Sequence, residues 1–255
     1  MGKAVYAGFD SFSYPGKPKM QSLWDHSNMY WCGFYLGPGY NWSPNYQTLT
    51  DIGWGIAPIY MGKQPGGPKL SAVPADKKYD NGALDGKEAV AFAAKAGIRA
   101  PITLYFDVEK PNPNNGWLEY YAGWCRAVVD SAYGAGCYCG YHFASWLTTA
   151  LMGRPGFDTV IPTIWSVNVN KANPNGLIRT NSRGEQIPWD WLKPDYSEQH
   201  PTESGYGSAT SWQYAHGYGL KWEDKSIPDS RIFPADMDTS IVRDPGNPAL
   251  RFLDD

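Results

Sequence analysis

The sequence predicts an α/β fold, a single (β/α)8 barrel of the TIM type whose second half can be irregular. Eight apolar, β-rich runs recur along the 255 residues, and helical patterns lie between several of them. Strands that are apolar along most of their length are typical of a parallel sheet covered on both faces, and eight of them suggest closure into a barrel. An open doubly wound sheet is the main alternative.

The predicted strands are short β-prone runs bounded by Gly, Pro or polar residues. They cover residues 5–12, 29–36, 55–61, 102–108, 136–143, 163–169, 208–214 and 231–242. The clearest helices are predicted at 85–96, before Gly97, and at 117–133, before Gly134. We expect one barrel domain at 1–244 and a C-terminal tail at 245–255, and the chain after Val242 should pack loosely.

The stretch between Val169 and Ser208 is rich in Asn, Pro, Gly and Ser. A segment this long without a clear pattern is usually a functional loop or an irregular connection between a strand and a helix. Trp189 and Trp191 could line a cleft there, and equally they could anchor the loop to the barrel.

The charge and hydropathy of the chain exclude several classes of partner. A net charge of −3 without a basic stripe argues against nucleic acid, and no apolar run is long enough for membrane insertion. The first residues lead into a strand-like run without a signal-peptide core, so we expect a soluble monomer with no classical export signal. A phage lysin or a secretion-system cargo would also lack a classical export signal, so the localisation stays open.

The aromatic content indicates what kind of ligand to expect. Trp, Tyr and Phe make up 15% of the chain. Most should build the core, but Tyr and Trp also provide flat amphipathic surfaces for partly polar ligands such as sugars.

Few other chemistries fit the sequence. The four cysteines should be buried free thiols, because their spacing matches neither a disulfide framework nor a zinc site; they are Cys32, Cys125, Cys137 and Cys139. The nucleophile elbow of hydrolases, the dinucleotide fingerprint, the phosphate-binding loop and the zinc-protease helix motif are all missing. We therefore expect no cofactor and no metal. Among the candidate chemistries, catalysis by carboxylates fits the sequence best.

The predicted strand at 102–108 leads into two carboxylates with Asp-x-Glu spacing. Asp107 and Glu109 are followed at once by a Lys-Pro-Asn-Pro loop. Because strand side chains alternate, both acids should point to the same side at the carboxyl end of a buried strand. Like charges in a confined site raise one pKa and leave the other group ionised, which is the division of labour that glycoside hydrolysis needs.

Further polar residues fall at the ends of other strands. Asp10 ends the first strand, His142 ends the fifth, and Asp236 and Asp238 alternate on the last. First and last strands are neighbours in a closed barrel, so these acids could meet at one mouth. Each has a structural alternative: Asp10 and Asp238 could cap turns, Asp236 favours a structural role, and His142 could be a core imidazole.

Short motifs that run through nearly the whole chain carry a family resemblance. They are Gly8-Phe9-Asp10-Ser11, Trp31-Cys32-Gly33-Phe34-Tyr35-Leu36, Gly53-Trp54-Gly55 with Pro58-Ile59-Tyr60, Tyr105-Phe106-Asp107-Val108-Glu109, Gly140-Tyr141-His142, Ser211-Trp212-Gln213-Tyr214 and Ala235-Asp236-Met237-Asp238. Their order resembles the mycobacterial-type glycoside hydrolase-like domain family (domain of unknown function 1906), which is related to the family 25 lysozymes. The resemblance implies a barrel that cleaves the β-1,4 bond between N-acetylmuramic acid and N-acetylglucosamine.

The resemblance also implies roles for individual residues. Glu109 matches the general acid, and Asp107 the partner that orients the N-acetyl group or stabilises positive charge at the anomeric carbon. Asp10 matches the first-strand acid and Asp238 the acid of the final strand. The sixth strand departs from the lysozymes, which tend to place another acid where this chain has Asn168. The residues expected to bind substrate are His142, Tyr60, Trp165, Asn168, Trp212, Gln213 and Asp236.

Two main hypotheses follow from the sequence. The first is a peptidoglycan-directed glycoside hydrolase of muramidase type. The second is a carbohydrate-binding or cell-envelope module that keeps the barrel without turnover, and the fold alone does not separate the two. A cytosolic enzyme on a non-sugar substrate is a third hypothesis, supported only by the missing signal peptide.

Overall fold

A closed barrel of eight strands forms the centre of the protein. The computed structural model describes residues 5–27, 29–157, 160–169, 199–220 and 233–247. The strands are β1 (Tyr6–Asp10), β2 (Met29–Tyr35), β3 (Gly55–Tyr60), β4 (Thr103–Asp107), β5 (Gly134–Gly140), β6 (Thr163–Val167), β7 (Ser211–Leu220) and β8 (Phe233–Ser240), hydrogen-bonded in that order. The predicted α/β barrel is confirmed. Trp189 and Trp191 lie outside the described residues.

Helices cover the outside of the barrel. They are α1 (Lys17–His26), α2 (Tyr46–Ile52), α3 (Pro68–Ser71), α4 (Lys78–Lys95), α5 (Asn115–Asp130) and α6 (Tyr141–Met152). In the part of the chain that the structure describes, no helix is both long and apolar enough to span a membrane. The fifth strand ends at Gly140, so His142 lies in the first turn of α6 and does not end a strand as we expected.

Helix α4 begins seven residues before the predicted start at 85, and its packing against α5 explains why. A Cβ added at Gly82 would lie 1.8 Å from the Tyr120 carbonyl oxygen, and one at Gly123 would lie 2.0 Å from the Tyr79 carbonyl oxygen. Gly82 therefore weakens the helical signal in the sequence while it allows the two helix backbones to meet. Tertiary packing outweighs intrinsic propensity here.

The last strand runs against the others. Strands β1 to β7 pair in parallel, whereas β8 pairs antiparallel with both β7 and β1. In this register Asp236 lies opposite Asp10 and Asp238 lies opposite Gly8. Because the direction is reversed, the first half of β8 is at the mouth, and Asp236 is nearer to the mouth than Asp238.

The residues after β8 close the opposite end of the barrel. The backbone N–H of Ile56 donates to Asp244 Oδ1 (2.9 Å), and that of Thr103 donates to the Gly246 carbonyl (2.6 Å). The Tyr105 hydroxyl donates to the carbonyl of the buried Pro245 (2.9 Å). Our expectation that the chain packs loosely after Val242 is wrong for 243–247, because these residues satisfy backbone groups at the start of two strands.

Large aromatic side chains fill the barrel interior. Trp31 and Trp165 meet edge to face with ring centroids 5.1 Å apart, and Tyr105 meets Trp165 at 5.6 Å. All three are fully buried. These three rings fill the barrel interior and form the floor of its mouth, so a ligand can bind only on the mouth side of them. All four cysteines are buried and free, as predicted.

Candidate active site

A pocket opens where β2, β4, β5 and β6 end. Its volume is about 380 Å³. The polar side chains of its lining are those of Tyr35, Asp107, Glu109, Tyr138, Gln213, His216 and Asp236. Three of these are acids that come from two distant parts of the chain, so the barrel brings together the carboxylates that the sequence singled out.

Asp107 and Glu109 are in contrasting surroundings although they are two residues apart. Asp107 is the last residue of β4 and is 0% exposed, and neither of its carboxyl oxygens has a hydrogen-bond partner among the described residues. Glu109 lies beyond the strand end and is exposed. Burial, then the charge of Glu109 and then that of Asp10 raise the pKa of Asp107 well above its usual value. Asp107 therefore favours its protonated form.

The backbone that carries this pair is held by one side chain, that of Gln64. Its amide Nε2 donates to the Asp107 carbonyl (2.8 Å), and its Oε1 accepts from the Glu109 backbone N–H (2.8 Å). Sequence analysis missed this residue because an isolated Gln in a loop carries no signal. Two hydrogen bonds from a single amide fix the spacing of the two acids.

The loop that carries Gln64 is itself anchored between α4 and α5. The Trp117 indole donates to the Lys63 carbonyl (3.2 Å), and the Lys63 backbone N–H donates to the Tyr120 hydroxyl (3.1 Å). The Lys63 ammonium pairs with Asp85 (2.5 Å). The position of Asp107 and Glu109 thus depends on a network that reaches the outer helices.

A second group of acids lies on β1 and β8. Asp10 is 3% exposed, and its Oδ1 accepts from the Tyr35 hydroxyl (3.4 Å). Asp238 is 0% exposed, and its Oδ1 accepts from the Trp165 indole (3.0 Å). Burial raises the pKa of both; the next cause is the charge of Asp236 for Asp10, and that of Asp10 for Asp238. Neither Asp10 nor Asp238 is among the residues that line the pocket, so the catalytic role that we expected for each stays a prediction.

Gln213 links the two sides of the pocket. The Tyr138 hydroxyl donates to Gln213 Oε1 (2.6 Å), and Gln213 Nε2 donates to Asp236 Oδ2 (2.6 Å). This hydrogen bond fixes the orientation of the Asp236 carboxylate. Asp236, which the sequence favoured as structural, is therefore the β8 acid that reaches the pocket.

Among the described residues, no group of three or more His, Cys, Asp or Glu side chains has the geometry to hold a metal ion.

Comparison of this chain with known families identifies the domain. Residues 23–218 match the family model of the Rv2525c-like, glycoside hydrolase-like domain. The chain belongs to this family. The resemblance inferred from the motif order is therefore confirmed. No curated protein sequence matches the chain.

Solved structures share the fold of this glycoside hydrolase-like domain at low sequence identity. An uncharacterized Bacillus stearothermophilus protein is 18% identical, with a TM-score of 0.58 over 91% of this chain and 94% of that one. The Mycobacterium tuberculosis Tat-secreted protein Rv2525c, in complex with L-tartrate, is 12% identical (TM-score 0.53, 92% and 94%). The Clostridium perfringens spore cortex lytic enzyme SleM is 13% identical (TM-score 0.54, 92% and 67%).

Three residues that we expected to bind substrate in this glycoside hydrolase-like domain are buried away from the pocket. Tyr60 lies against α4, and its hydroxyl donates to Glu88 (2.8 Å). Trp165 forms the floor described above, and Trp212 is 1% exposed and donates to the Asn168 carbonyl (3.1 Å). We therefore reassign these three to packing.

The two other expected binding residues lie beside the pocket. His142 is exposed, and its ring contacts that of Tyr141 at a tilt of 35° with centroids 3.8 Å apart. Asn168 is buried, and its amide donates to the Ser204 carbonyl (2.5 Å). Both line a second pocket of about 320 Å³ that shares residues of the strand ends with the first. They are adjacent to the acids without contacting them.

Proposed function

We propose that this glycoside hydrolase-like domain is a muramidase-type hydrolase that cleaves the β-1,4 bond between N-acetylmuramic acid and N-acetylglucosamine in peptidoglycan. The observation that carries the proposal is the pair of contrasting acids at the mouth. Asp107 is buried without hydrogen-bond donors among the described residues, and Glu109 is exposed at the rim of the same pocket. Glycosidases use two carboxyl groups in different protonation states, one that gives a proton and one that acts as a carboxylate.

Glu109 is the group that reaches the substrate as general acid. In the free site the proton is held on Asp107, whose pKa is raised by burial and by the neighbouring charges. When a glycan fills the pocket, the proton of Asp107 passes to the Glu109 carboxylate, which leaves Asp107 ionised. Glu109 then gives its proton to the departing glycosidic oxygen.

Asp107 acts on the sugar as the departing bond breaks. Its ionised carboxylate either stabilises the positive charge at the anomeric carbon or orients the N-acetyl group for attack on that carbon. No described side chain donates a hydrogen bond to either oxygen, so both remain available for this task.

The acids of β1 and β8 support this pair. Asp236, oriented by Gln213, faces the pocket from the opposite side and is placed to contact a sugar hydroxyl or amide. Asp10 and Asp238 lie deeper, and the charge of Asp10 is one of the causes that raise the pKa of Asp107. We propose that these two act through Asp236 and Asp107 and do not touch the substrate.

Two observations support a peptidoglycan glycan as the substrate. The pocket volume of about 380 Å³ is within the range of small-ligand sites. SleM, which shares the fold at a TM-score of 0.54, is a spore cortex lytic enzyme. An enzyme that acts on a cell-envelope polymer fits both.

A carbohydrate-binding or cell-envelope module without turnover is the second candidate. Asn168 favours it, because the related lysozymes tend to have an acid on this strand and the Asn168 amide is engaged with the Ser204 carbonyl. The site would then lack one charge of an active centre while it keeps its shape.

The test is hydrolysis of purified peptidoglycan sacculi by the wild type, Glu109→Gln and Asp76→Asn. Asp76 is a matched control because its side chain is 76% exposed and it does not line either of the two pockets at the barrel mouth. We expect the wild type and Asp76→Asn to release soluble muropeptides with new reducing ends, and Glu109→Gln to release about 10²- to 10⁴-fold less. Binding of all three proteins to sacculi without release by any of them would favour the binding module.

A further inference from the structure

A cluster of apolar side chains lies at the barrel mouth beside the acidic pocket. Its members lie at or just after the ends of β1, β2 and β3, and we call it the mouth platform: Phe12, Tyr35, Tyr40 and Met61. The Phe12 ring centroid is 5.0 Å from that of Tyr40 and 5.9 Å from that of Tyr35. The Tyr40 hydroxyl donates to Met61 Sδ (3.6 Å).

Packing does not account for the exposure of the mouth platform. Phe12 is 60% exposed and Met61 is 37% exposed, so they are two of the six large apolar side chains that are exposed in the described part of the chain. Tyr35 and Tyr40 already pack on each other with centroids 5.1 Å apart, and Phe12 lies over this pair. A phenyl ring held open to solvent on an aromatic support is a surface suited to a ligand.

The mouth platform is continuous with the acidic pocket. Tyr35 belongs to both, because it lines the pocket and donates to Asp10. The charges of Asp107 and Glu109 contribute, after burial, to a raised pKa of Tyr40, so this ring is also close to the acid pair. A ligand that extends from the pocket toward β1 and β2 would therefore lie on the platform.

We propose that the mouth platform is a binding subsite that stacks one pyranose ring of a β-1,4-linked amino-sugar glycan, namely the unit next to the disaccharide whose linkage lies against Asp107 and Glu109. The inference rests on the proposed function, since it takes the same glycan. A pyranose presents C–H groups on its face and hydroxyl groups at its edge. The exposed Phe12 ring suits the face, and the tyrosine hydroxyls suit the edge.

The experiment compares binding of two soluble probes by isothermal titration calorimetry. The probes are a disaccharide and a tetrasaccharide of alternating N-acetylglucosamine and N-acetylmuramic acid. The proteins carry Glu109→Gln to prevent cleavage, alone or together with Phe12→Ala, Phe12→Trp or Leu84→Ala. Leu84 is the matched control because it is 61% exposed on α4.

We expect Phe12→Ala to weaken tetrasaccharide binding by about tenfold while disaccharide binding in the acidic pocket stays the same. Phe12→Trp should restore the affinity, and Leu84→Ala should leave it unchanged. Thermal unfolding of each variant, expected to match the parent, excludes misfolding as the cause.

Three results would overturn the subsite. A fourth would retain it but would change the proposed function. Equal tetrasaccharide affinity with and without Phe12 would remove the subsite and leave the hydrolase intact. No binding of either probe by the parent, together with no muropeptide release by the wild type, would remove both. Equal weakening by Phe12→Ala and Leu84→Ala would indicate a general surface effect. A loss specific to Phe12 in a protein that releases no muropeptide would retain the subsite and favour the binding module.

Discussion

Asp244 at the closed end of the barrel and Asp107 at its mouth are both acids with raised pKa values, but their oxygens have different partners. Asp244 accepts a hydrogen bond from the Ile56 backbone N–H, and backbone N–H groups of Gly246 and Asn247 also act to lower its pKa. Neither carboxyl oxygen of Asp107 accepts from a backbone N–H among the described residues, and the neighbouring charges of Glu109 and Asp10 raise its pKa further. Burial is the largest cause of the raised pKa in both.

The difference indicates which acid contributes to folding and which to function. A buried polar group without a partner costs roughly 1–3 kcal/mol, so a fold is expected to satisfy its acids wherever it can. The closed end does so with backbone donors. At the mouth, the Asp107 carboxyl has no backbone hydrogen-bond donor among the described residues. We interpret this energetic cost as a consequence of function, because the site must bind and act on a ligand.

The largest effect that would sharpen this comparison is expected from Asp107→Asn. We expect the rate of muropeptide release to fall at least about 100-fold, because the variant has no carboxylate to face the anomeric carbon. The assay is the initial rate at saturating sacculi with the Asp76→Asn protein as control. A rate within a few-fold of the wild type would assign Asp107 to structure.

The next largest effect is expected from the side chain that holds the acid pair. Gln64→Ala removes both hydrogen bonds to the backbone at Asp107 and Glu109, so kcat should fall about 10- to 100-fold with KM little changed. Gln47→Ala is the matched control, because Gln47 donates to Asp51 on the exposed face of α2 (2.7 Å). If instead KM rises by that factor while kcat stays constant, Gln64 binds substrate and does not position the acids.

The closed end should respond through stability. Asp244→Asn replaces an acceptor of several backbone N–H groups by an amide that repels at least one of them. We expect the free energy of unfolding to fall by about 1–3 kcal/mol, measured by urea denaturation. An unchanged midpoint and slope would contradict the role that we give to the chain after β8.

The smallest effect is the dependence of stability on pH. The pKa of Asp244 is raised to about 6, above the value of about 4 that it has in an unfolded chain. The native state thus binds the proton more tightly, and its contribution to stability is complete below about pH 4 and is lost as the pH rises through about 6. Asp10, Asp107 and Asp238 shift in the same direction.

We therefore expect Tm to fall between about pH 4 and about pH 7 in the wild type, and to fall less in Asp107→Asn. The dependence of Tm on pH is measured by differential scanning calorimetry in buffers of constant ionic strength. A Tm that rises across this interval would show that these acids are ionised in the native state.

Much of the fold could be predicted because each strand has an apolar run, but the direction of a strand is not part of that pattern. The apolar run of β8 would look the same in either direction, and only pairing with β1 and β7 reveals that it is antiparallel. In this direction Asp236 lies nearer to the mouth than Asp238.

The site could be predicted less completely because residue type does not reveal the face on which a side chain lies. Tyr60 and Trp165 come from strands whose two faces are both buried, so alternation does not separate a ligand contact from core. Gln64 acts on residues more than forty positions away in the chain, and nothing local marks it. The Asp-x-Glu pair was visible because acids at the end of an apolar strand are rare.

The central claim is that the mouth acids contribute to function and the closed-end acid to folding, and one paired measurement tests it most directly. Muropeptide release per folded molecule and the free energy of unfolding at neutral pH are measured on the wild type, Asp107→Asn and Asp244→Asn. We predict that Asp107→Asn loses release and changes stability by less than about 1 kcal/mol, whereas Asp244→Asn loses stability and keeps its release. Loss of stability in Asp107→Asn with release retained per folded molecule would contradict the account.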